Sequence, residues 1–122
     1  MSASELVSAD PDYVRGIELL QAGEWFAAHE AFEDAWRRAA PEERDFLQGL
    51  VHVAVAWYQA GRGRQVGCER QLEKAARRLG SYAPAHAGLD VAALLESVEE
   101  AGACFPALPP PRVRRPGSRA AG

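Results

Sequence analysis

Residues 41–60 read PEERDFLQGLVHVAVAWYQA, a run that is apolar over most of its length. Pro41 suits a first helical position, and the two acids after it complement the positive end of a helix dipole. The apolar side chains cover most of a helical circumference: Phe46, Leu47, Leu50, Val51, Val53, Ala54, Val55, Trp57 and Tyr58. A helix that is apolar nearly all round is buried among other helices. The sequence therefore predicts a central helix, which ends at the Gly61-Arg62-Gly63 break.

Further helices are predicted on both sides of this one. Asp10-Pro11 offers an acidic N-cap and a proline at the first helical position, and Ala22-Gly23 ends that first helix. Helical periodicity returns in three more stretches, at about residues 24–39, 65–79 and from Asp90 onward. Pro84 and Gly88 predict a loop before the last of these. We expect an all-α, compact bundle of about five helices, with antiparallel helical hairpins around the central apolar helix.

Composition predicts one helical domain between two irregular ends. A chain of 122 residues that is 48% hydrophobic is sufficient for one compact core. We expect a flexible N-terminus over residues 1–9, a single helical domain over residues 10–102 and a disordered Pro/Arg-rich tail over residues 103–122. The tail combines three consecutive prolines with arginines and small residues, which cannot build a core.

Charge and cysteine usage narrow the class of protein. No run approaches the roughly 18 apolar residues that cross a bilayer, and Met1–Asp10 lacks the basic start of a secretory signal. Cys68 and Cys104 are far apart and in no C-x-x-C pair, so we expect reduced thiols and a cytoplasmic protein. The four arginines after residue 103 leave the rest of the chain more acidic than the net charge of −3. An acidic body argues against nucleic acid as the main partner.

Two predicted helices carry polar side chains within apolar surroundings. His29 and Glu33 are four residues apart and share a helix face with Trp25, Phe32 and Trp36. In the central helix, the polar residues Gln48, His52 and Gln59 fall on one narrow stripe. If the two helices face each other, His29 and His52 converge with Glu33 and with Glu30. Departures from ordinary patterning of this kind often occur at functional sites.

This polar cluster has a functional and a structural interpretation. Imidazole and carboxylate groups suit zinc, manganese or iron, so His29, Glu33 and His52 are candidate ligands of a divalent metal. The motif here is H-E-x-x-E, whereas zinc metalloproteases use H-E-x-x-H. The alternative is a hydrogen-bonded polar network that fixes how the helices register. Elsewhere, we expect His86 to be exposed in its loop and Cys68 to pack as a small hydrophobic residue.

The motifs W-F-A-A-H-E-A-F-E-D-A-W at residues 25–36 and E-R-D-F-L-Q-G-L-V-H-V-A-V-A-W-Y at residues 43–58 resemble a known family. It is the domain-of-unknown-function family numbered 309, and the resemblance covers roughly residues 10–100. The resemblance implies a small all-helical protein without an established activity. It assigns the family's characteristic residues to His29, Glu30, Glu33, Trp36, Phe46, Gln48, Gly49 and Leu50. Members often carry Gln where His52 stands and His where Gln59 stands, which argues against a fixed second histidine ligand.

The leading hypothesis is a non-enzymatic helical domain that binds a small ligand or a protein partner through a polar-aromatic pocket. We expect the pocket to comprise His29, Glu30, Glu33, Trp36, Gln48 and His52. One alternative is a metal-dependent hydrolase or transferase in which His29 and Glu33, with His52, hold the ion and Glu30 acts as base. Another is a tetratricopeptide-like module that binds a peptide. The oligomeric state stays open, with a homodimer as one option.

Overall fold

A computed structural model of the chain describes residues 1–117. It contains six α-helices, a single 3-10 turn and a two-stranded antiparallel hairpin. Their bounds are α1 Ala3–Ala9, α2 Pro11–Gln21, α3 Trp25–Arg38, α4 Pro41–Gly61, α5 Gln65–Leu79, the 3-10 turn Gly80–Tyr82, β1 Ala85–His86, β2 Leu89–Asp90 and α6 Val91–Ala101. The prediction of a compact all-α fold is confirmed.

Helix α4 occupies the centre of the bundle, as its composition predicts. It packs against α3 on one side and against α5 on another. Phe46, Leu50 and Val53 are fully buried, and the ring of Trp57 is nearly so. Short turns join these helices, Ala39-Ala40 between α3 and α4 and Arg62-Gly63-Arg64 between α4 and α5, so neighbouring helices run antiparallel. Consequently α3 and α5 begin, and α4 ends, at the same end of the bundle.

Two glycines set how closely the helices approach one another. A Cβ on Gly16 of α2 would lie 2.5 Å from Cε1 of Phe32 on α3. A Cβ on Gly49 of α4 would lie 2.6 Å from Cγ of Leu79 on α5. Both distances are too short for non-bonded carbon atoms. Each glycine therefore accommodates a large core side chain of the facing helix.

The N-terminus differs from the flexible segment expected over residues 1–9. Ser2 and Glu5 form a capping box that starts α1, in which each side chain satisfies a free backbone N–H. Val7 on this helix is buried in the core. Because a single short helix has little periodicity, the sequence pattern does not reveal it.

The C-terminal segment also differs from the expectation, which was disorder from residue 103. Residues 103–117 run back along the helical body, and Val113 is buried. The indole N–H of Trp57 donates to the carbonyl of Pro109, and the Arg112 N–H donates to Ser97 Oγ. Polar groups of the body thus hold the backbone of this segment, and its side chains Val113, Phe105 and Leu108 pack against the core. Residues 118–122 of the expected tail lie outside the described part of the chain.

The segment in which Pro84 and Gly88 predict a loop contains the 3-10 turn and the hairpin. β1 and β2 pair antiparallel, with Ala85 opposite Asp90 and His86 opposite Leu89. Ala87 and Gly88 connect the strands with positive φ angles of 47° and 74°. The Tyr13 hydroxyl donates to the Ala87 carbonyl across 3.0 Å, which ties the hairpin to α2.

No helix within residues 1–117 is long and apolar enough to cross a membrane.

Candidate functional site

The His29–Glu33 pair forms on α3, at the i, i+4 spacing that the sequence predicts. Nε2 of His29 lies 2.8 Å from Oε1 of Glu33, and its Nδ1 lies 2.6 Å from the Phe26 carbonyl oxygen. Both ring nitrogens therefore face oxygen atoms that can accept a hydrogen bond. The His29 side chain is 20% exposed and that of Glu33 is 46% exposed. The pair consequently belongs to the surface of the bundle.

Aromatic rings adjoin this pair on the surface. The Phe26 side chain is 53% exposed, and its ring centroid lies 4.8 Å from that of His29. On its other side Phe26 contacts Tyr58 of α4, with 5.6 Å between the centroids. The Arg62 guanidinium lies over the Tyr58 ring at 5.7 Å. A continuous aromatic and polar surface thus crosses from α3 to the end of α4.

The other aromatic residues expected at the site face elsewhere. Phe32 is fully buried in the core, and Trp25 packs against Trp57 with 6.3 Å between the ring centroids. Trp36 is half-buried near the α3–α4 turn, where the Arg44 guanidinium lies 4.9 Å above its ring as a cation–π contact. Their described contacts are therefore with the core, with Trp57 and with Arg44.

The polar stripe of α4 faces α5. Nδ1 of His52 lies 2.7 Å from Oε1 of Gln71 on α5. Toward the end of α4, the Gln59 side chain lies against Gly67, where an added Cβ would come within 3.3 Å of Gln59 Cδ. Gln48 is half-buried on the same helix. His52 and Gln59 therefore belong to the α4–α5 interface.

The structure does not bring His29, Glu33 and His52 together as the metal hypothesis requires. His29 and Glu33 pair within α3, whereas His52 is hydrogen-bonded to Gln71 on α5. Helical spacing shows that side chains share a face but not which neighbour that face meets. Within residues 1–117, no group of three or more His, Cys, Asp or Glu side chains is placed to hold a metal ion. Glu30, the base of that scheme, is exposed beside the pair.

The environment of His52 favours its neutral form. Burial lowers the pKa of His52 below 6.5, although the hydrogen bond with Gln71 acts in the opposite direction. The nearby cations lower this pKa further: Arg78, Lys74 and Arg77. Neutral His52 donates from Nδ1 to the amide oxygen of Gln71. Its role is therefore to register α4 against α5.

A second carboxylate–imidazole pair escaped the sequence reasoning. Glu43, in the first turn of α4, is only 4% exposed, and its Oε1 lies 2.6 Å from Nε2 of His86. The His86 ring packs edge-on against the rings of Phe46 and Tyr82. The expectation that His86 is exposed is therefore wrong, because the hairpin folds it back over the start of α4.

A signal for this pair does exist in the sequence. Glu43 lies three residues before Phe46 and seven before Leu50, so it shares the apolar face of α4. An acid on such a face needs a partner, which distinguishes Glu43 from a dipole-stabilising acid such as Glu42. Burial and then the charge of Glu43 raise the pKa of nearby Tyr13, which keeps its hydroxyl protonated as a hydrogen-bond donor.

The cysteines show no arrangement for redox or metal chemistry within the described residues. Cys68 is buried on α5, as expected for a small hydrophobic residue, and burial raises the pKa of its thiol. Cys104 is half-buried in the C-terminal segment, and both thiols are free.

Comparison with known proteins places the surface motifs within one family. A search of curated proteins finds no match to the chain. Residues 13–71 match the family model described as Domain of unknown function (DUF309). That stretch runs from α2 into α5 and includes the His29–Glu33, His52–Gln71 and Glu43 positions. This match over residues 13–71 supports membership of the chain in the DUF309 family.

Proposed function

We propose that this domain binds a protein partner through the exposed face at the start of α3. This face, called the α3 surface below, consists of Phe26, His29, Glu30, Glu33 and Tyr58. The observation that carries the proposal is the Phe26 ring, which is 53% exposed although it contacts two other rings. Large aromatic side chains held rigidly at a surface are typical anchors of protein interfaces.

The openness of the α3 surface favours a protein over a small ligand. Small-molecule sites are concave and bury most of the ligand surface. Here Phe26 and Glu30 are exposed, and Glu33 is half-exposed. His52, which a closed pocket would have needed, is hydrogen-bonded to Gln71 of α5. A partner that covers this surface from outside fits these side chains better than an enclosed ligand.

The chemistry of the α3 surface specifies what the partner presents. Phe26 offers an apolar anchor, and Glu30 and Glu33 provide negative charge one and two helical turns further along. His29 holds the Glu33 carboxylate in place through Nε2. A complementary segment carries an apolar side chain that packs on Phe26 and an arginine or lysine that reaches Glu30 or Glu33.

Site-specific photocrosslinking in the native cell tests this proposal. A photoreactive phenylalanine analogue replaces Phe26, and the control carries it at Leu6, which is also exposed but lies on α1. We expect one discrete protein to be crosslinked at position 26. The same protein should not be crosslinked at position 6. The same crosslink should disappear when Glu33→Lys is added, because the reversed charge repels the basic group of the partner.

Binding of the identified partner then gives the quantitative test. Truncating an aromatic anchor costs at least about 2 kcal/mol, so Phe26→Ala should weaken binding by about thirtyfold or more. Leu6→Ala serves as the matched control and should leave the affinity unchanged. Crosslinks that are identical at both positions, or binding that tolerates Phe26→Ala, would overturn the proposal.

A further inference from the structure

A groove separate from the α3 surface lies between α2, the hairpin turn and the C-terminal segment. It has a volume of about 660 Å³. Small-molecule sites in proteins occupy roughly 300–1,000 Å³. Tyr13, Val14 and Ile17 of α2 form one wall, and Arg114 and Arg115 form part of the opposite one. The groove thus has the size of a ligand site and is built from three separate parts of the chain.

The apolar wall of the groove is already in place. Ile17 is half-buried against the core, and Val14 is among the exposed large hydrophobic residues of the protein. The Tyr13 hydroxyl is engaged by the Ala87 carbonyl, so Tyr13 presents ring surface and no free donor. This wall therefore favours the apolar body of a ligand.

The opposite wall supplies positive charge that other residues of the described part of the chain neutralise only in part. Nε of Arg114 lies 3.6 Å from Oδ2 of Asp90, which is an ion pair beyond hydrogen-bond distance. That Nε is buried and has no hydrogen-bond partner among residues 1–117. Arg115 is exposed at the groove and makes no ion pair within the same residues. An anion that entered here would meet two guanidinium groups, while Glu18 is the one acidic residue among the described residues that line the groove.

The backbone at the groove is also strained. Ala87 has a φ of 47°, a left-handed conformation that favours glycine, and the next residue, Gly88, has a φ of 74°. Both line the groove. Strained non-glycine residues cluster at ligand sites, where the surrounding structure holds them in place. Here the hydrogen bond from Tyr13 fixes the turn against α2.

We propose that this groove binds a small organic anion with an apolar body, such as an aromatic carboxylate. The apolar body packs on Val14 and Ile17, and the carboxylate pairs with the guanidinium of Arg115 and with that of Arg114. This site is independent of the α3 surface, since the two share no residue.

Titration monitored by amide chemical shifts tests the assignment, with 4-phenylbutyrate as the probe. We expect saturable shifts centred on Val14, Ile17 and Gly88. 4-Phenylbutyramide lacks the charge and acetate lacks the apolar body, so each should bind at least about tenfold more weakly. Equal binding of the acid and the amide would contradict a site for anions.

Two variants locate the binding groups. Arg115→Gln should weaken phenylbutyrate binding by about tenfold and remove its preference over the amide, since a charged hydrogen bond is lost. Val14→Glu should weaken it by at least as much through charge repulsion. Arg70→Gln is the matched control, because Arg70 is exposed on α5 and does not line the groove. All three positions are exposed, and the amide spectrum of each variant reports directly whether it folds.

Each outcome of the titrations either supports or overturns the proposal. Shifts confined to the groove, with loss of affinity in Arg115→Gln and not in Arg70→Gln, support the proposal. Absence of saturable shifts, shifts centred elsewhere, or equal losses in the two arginine variants would overturn it.

Discussion

His52 on α4 donates a hydrogen bond from Nδ1 to the amide oxygen of Gln71 on α5, across 2.7 Å. The bond joins two antiparallel helices at a position that Val51 and Val53 flank along the chain. A buried polar pair of this kind stabilises one register only, because a shift of either helix would leave both groups without a partner. The histidine that suggested a metal ligand in the sequence thus has a structural role.

The pH dependence of folding follows from this environment. Because burial lowers the pKa of His52 below 6.5, the unfolded chain binds a proton there at a higher pH than the folded protein does. Stability from this group is complete above the unfolded pKa and is lost as the pH falls through the folded pKa. The loss has a slope of at most about 1.4 kcal/mol for each pH unit.

Urea unfolding of the parent and of His52→Gln, at about pH 8 and about pH 5, measures this contribution. We expect the parent to lose more stability than the variant between these two conditions, since glutamine does not titrate. The other acids and histidines are common to both proteins and cancel in the difference. Parallel stability curves for the two proteins would contradict the assignment.

The close approach of α4 and α5 at Gly49 gives a second prediction. Gly49→Ala places a Cβ 2.6 Å from Leu79 Cγ, and overpacking of this kind costs about 1–3 kcal/mol. That cost exceeds the gain in helix propensity, which is at most about 1 kcal/mol. Thermal unfolding should therefore show a destabilised protein.

Gly61→Ala, on the same helix, is the matched control. A Cβ at Gly61 meets nothing within 4 Å, so only the propensity gain applies and the variant should equal or exceed the parent in stability. If Gly49→Ala were as stable as Gly61→Ala, the helices would not be held at this distance.

Periodicity is sufficient to predict helices α2 to α6 and the central position of α4. It shows that His29 and Glu33 share a face, and that His52 and Gln59 share another. It does not show which neighbour each face meets, because that depends on the rotation of each helix within the bundle. The surface half of the expected site was therefore predictable, while the placement of His52 against Gln71 was not.

Amino-acid composition also does not predict contacts that backbone groups make. The segment after residue 103 has few side chains that could form a core, yet the carbonyls of Pro109 and Val113 accept hydrogen bonds from Trp57 and Gln21. Every residue carries such a carbonyl, so composition does not distinguish a bound segment from a free one.

The buried Glu43–His86 pair gives a third prediction. Glu43→Ala removes a nearly buried carboxylate and leaves His86 without its partner, which should cost about 2 kcal/mol. Part of the imidazole is exposed, so the loss should fall below that for a fully buried ion pair. Glu43→Gln keeps an oxygen acceptor for the ring and should lose less.

Glu42→Ala is the control for this pair, and denaturant unfolding compares the three variants. Glu42 is exposed, and within residues 1–117 its backbone carbonyl, not its side chain, accepts a hydrogen bond from the Tyr82 hydroxyl. Its replacement should change stability by no more than about 0.5 kcal/mol. Equal losses at the two positions would show that the hairpin does not pack on α4.

Val113 tests whether the C-terminal segment stays on the body in solution. Val113→Asp places a carboxylate in a buried apolar position, which should cost at least about 2 kcal/mol or release the segment. Ala107→Asp makes the same change at an exposed position of that segment and should cost less than about 0.5 kcal/mol. Hydrogen exchange adds a local readout, since release frees the Asp90 N–H that donates to the Arg114 carbonyl. Equal stability and equal exchange in both variants would mean that residues 103–117 leave the body, because a free segment tolerates a charge equally well at either position.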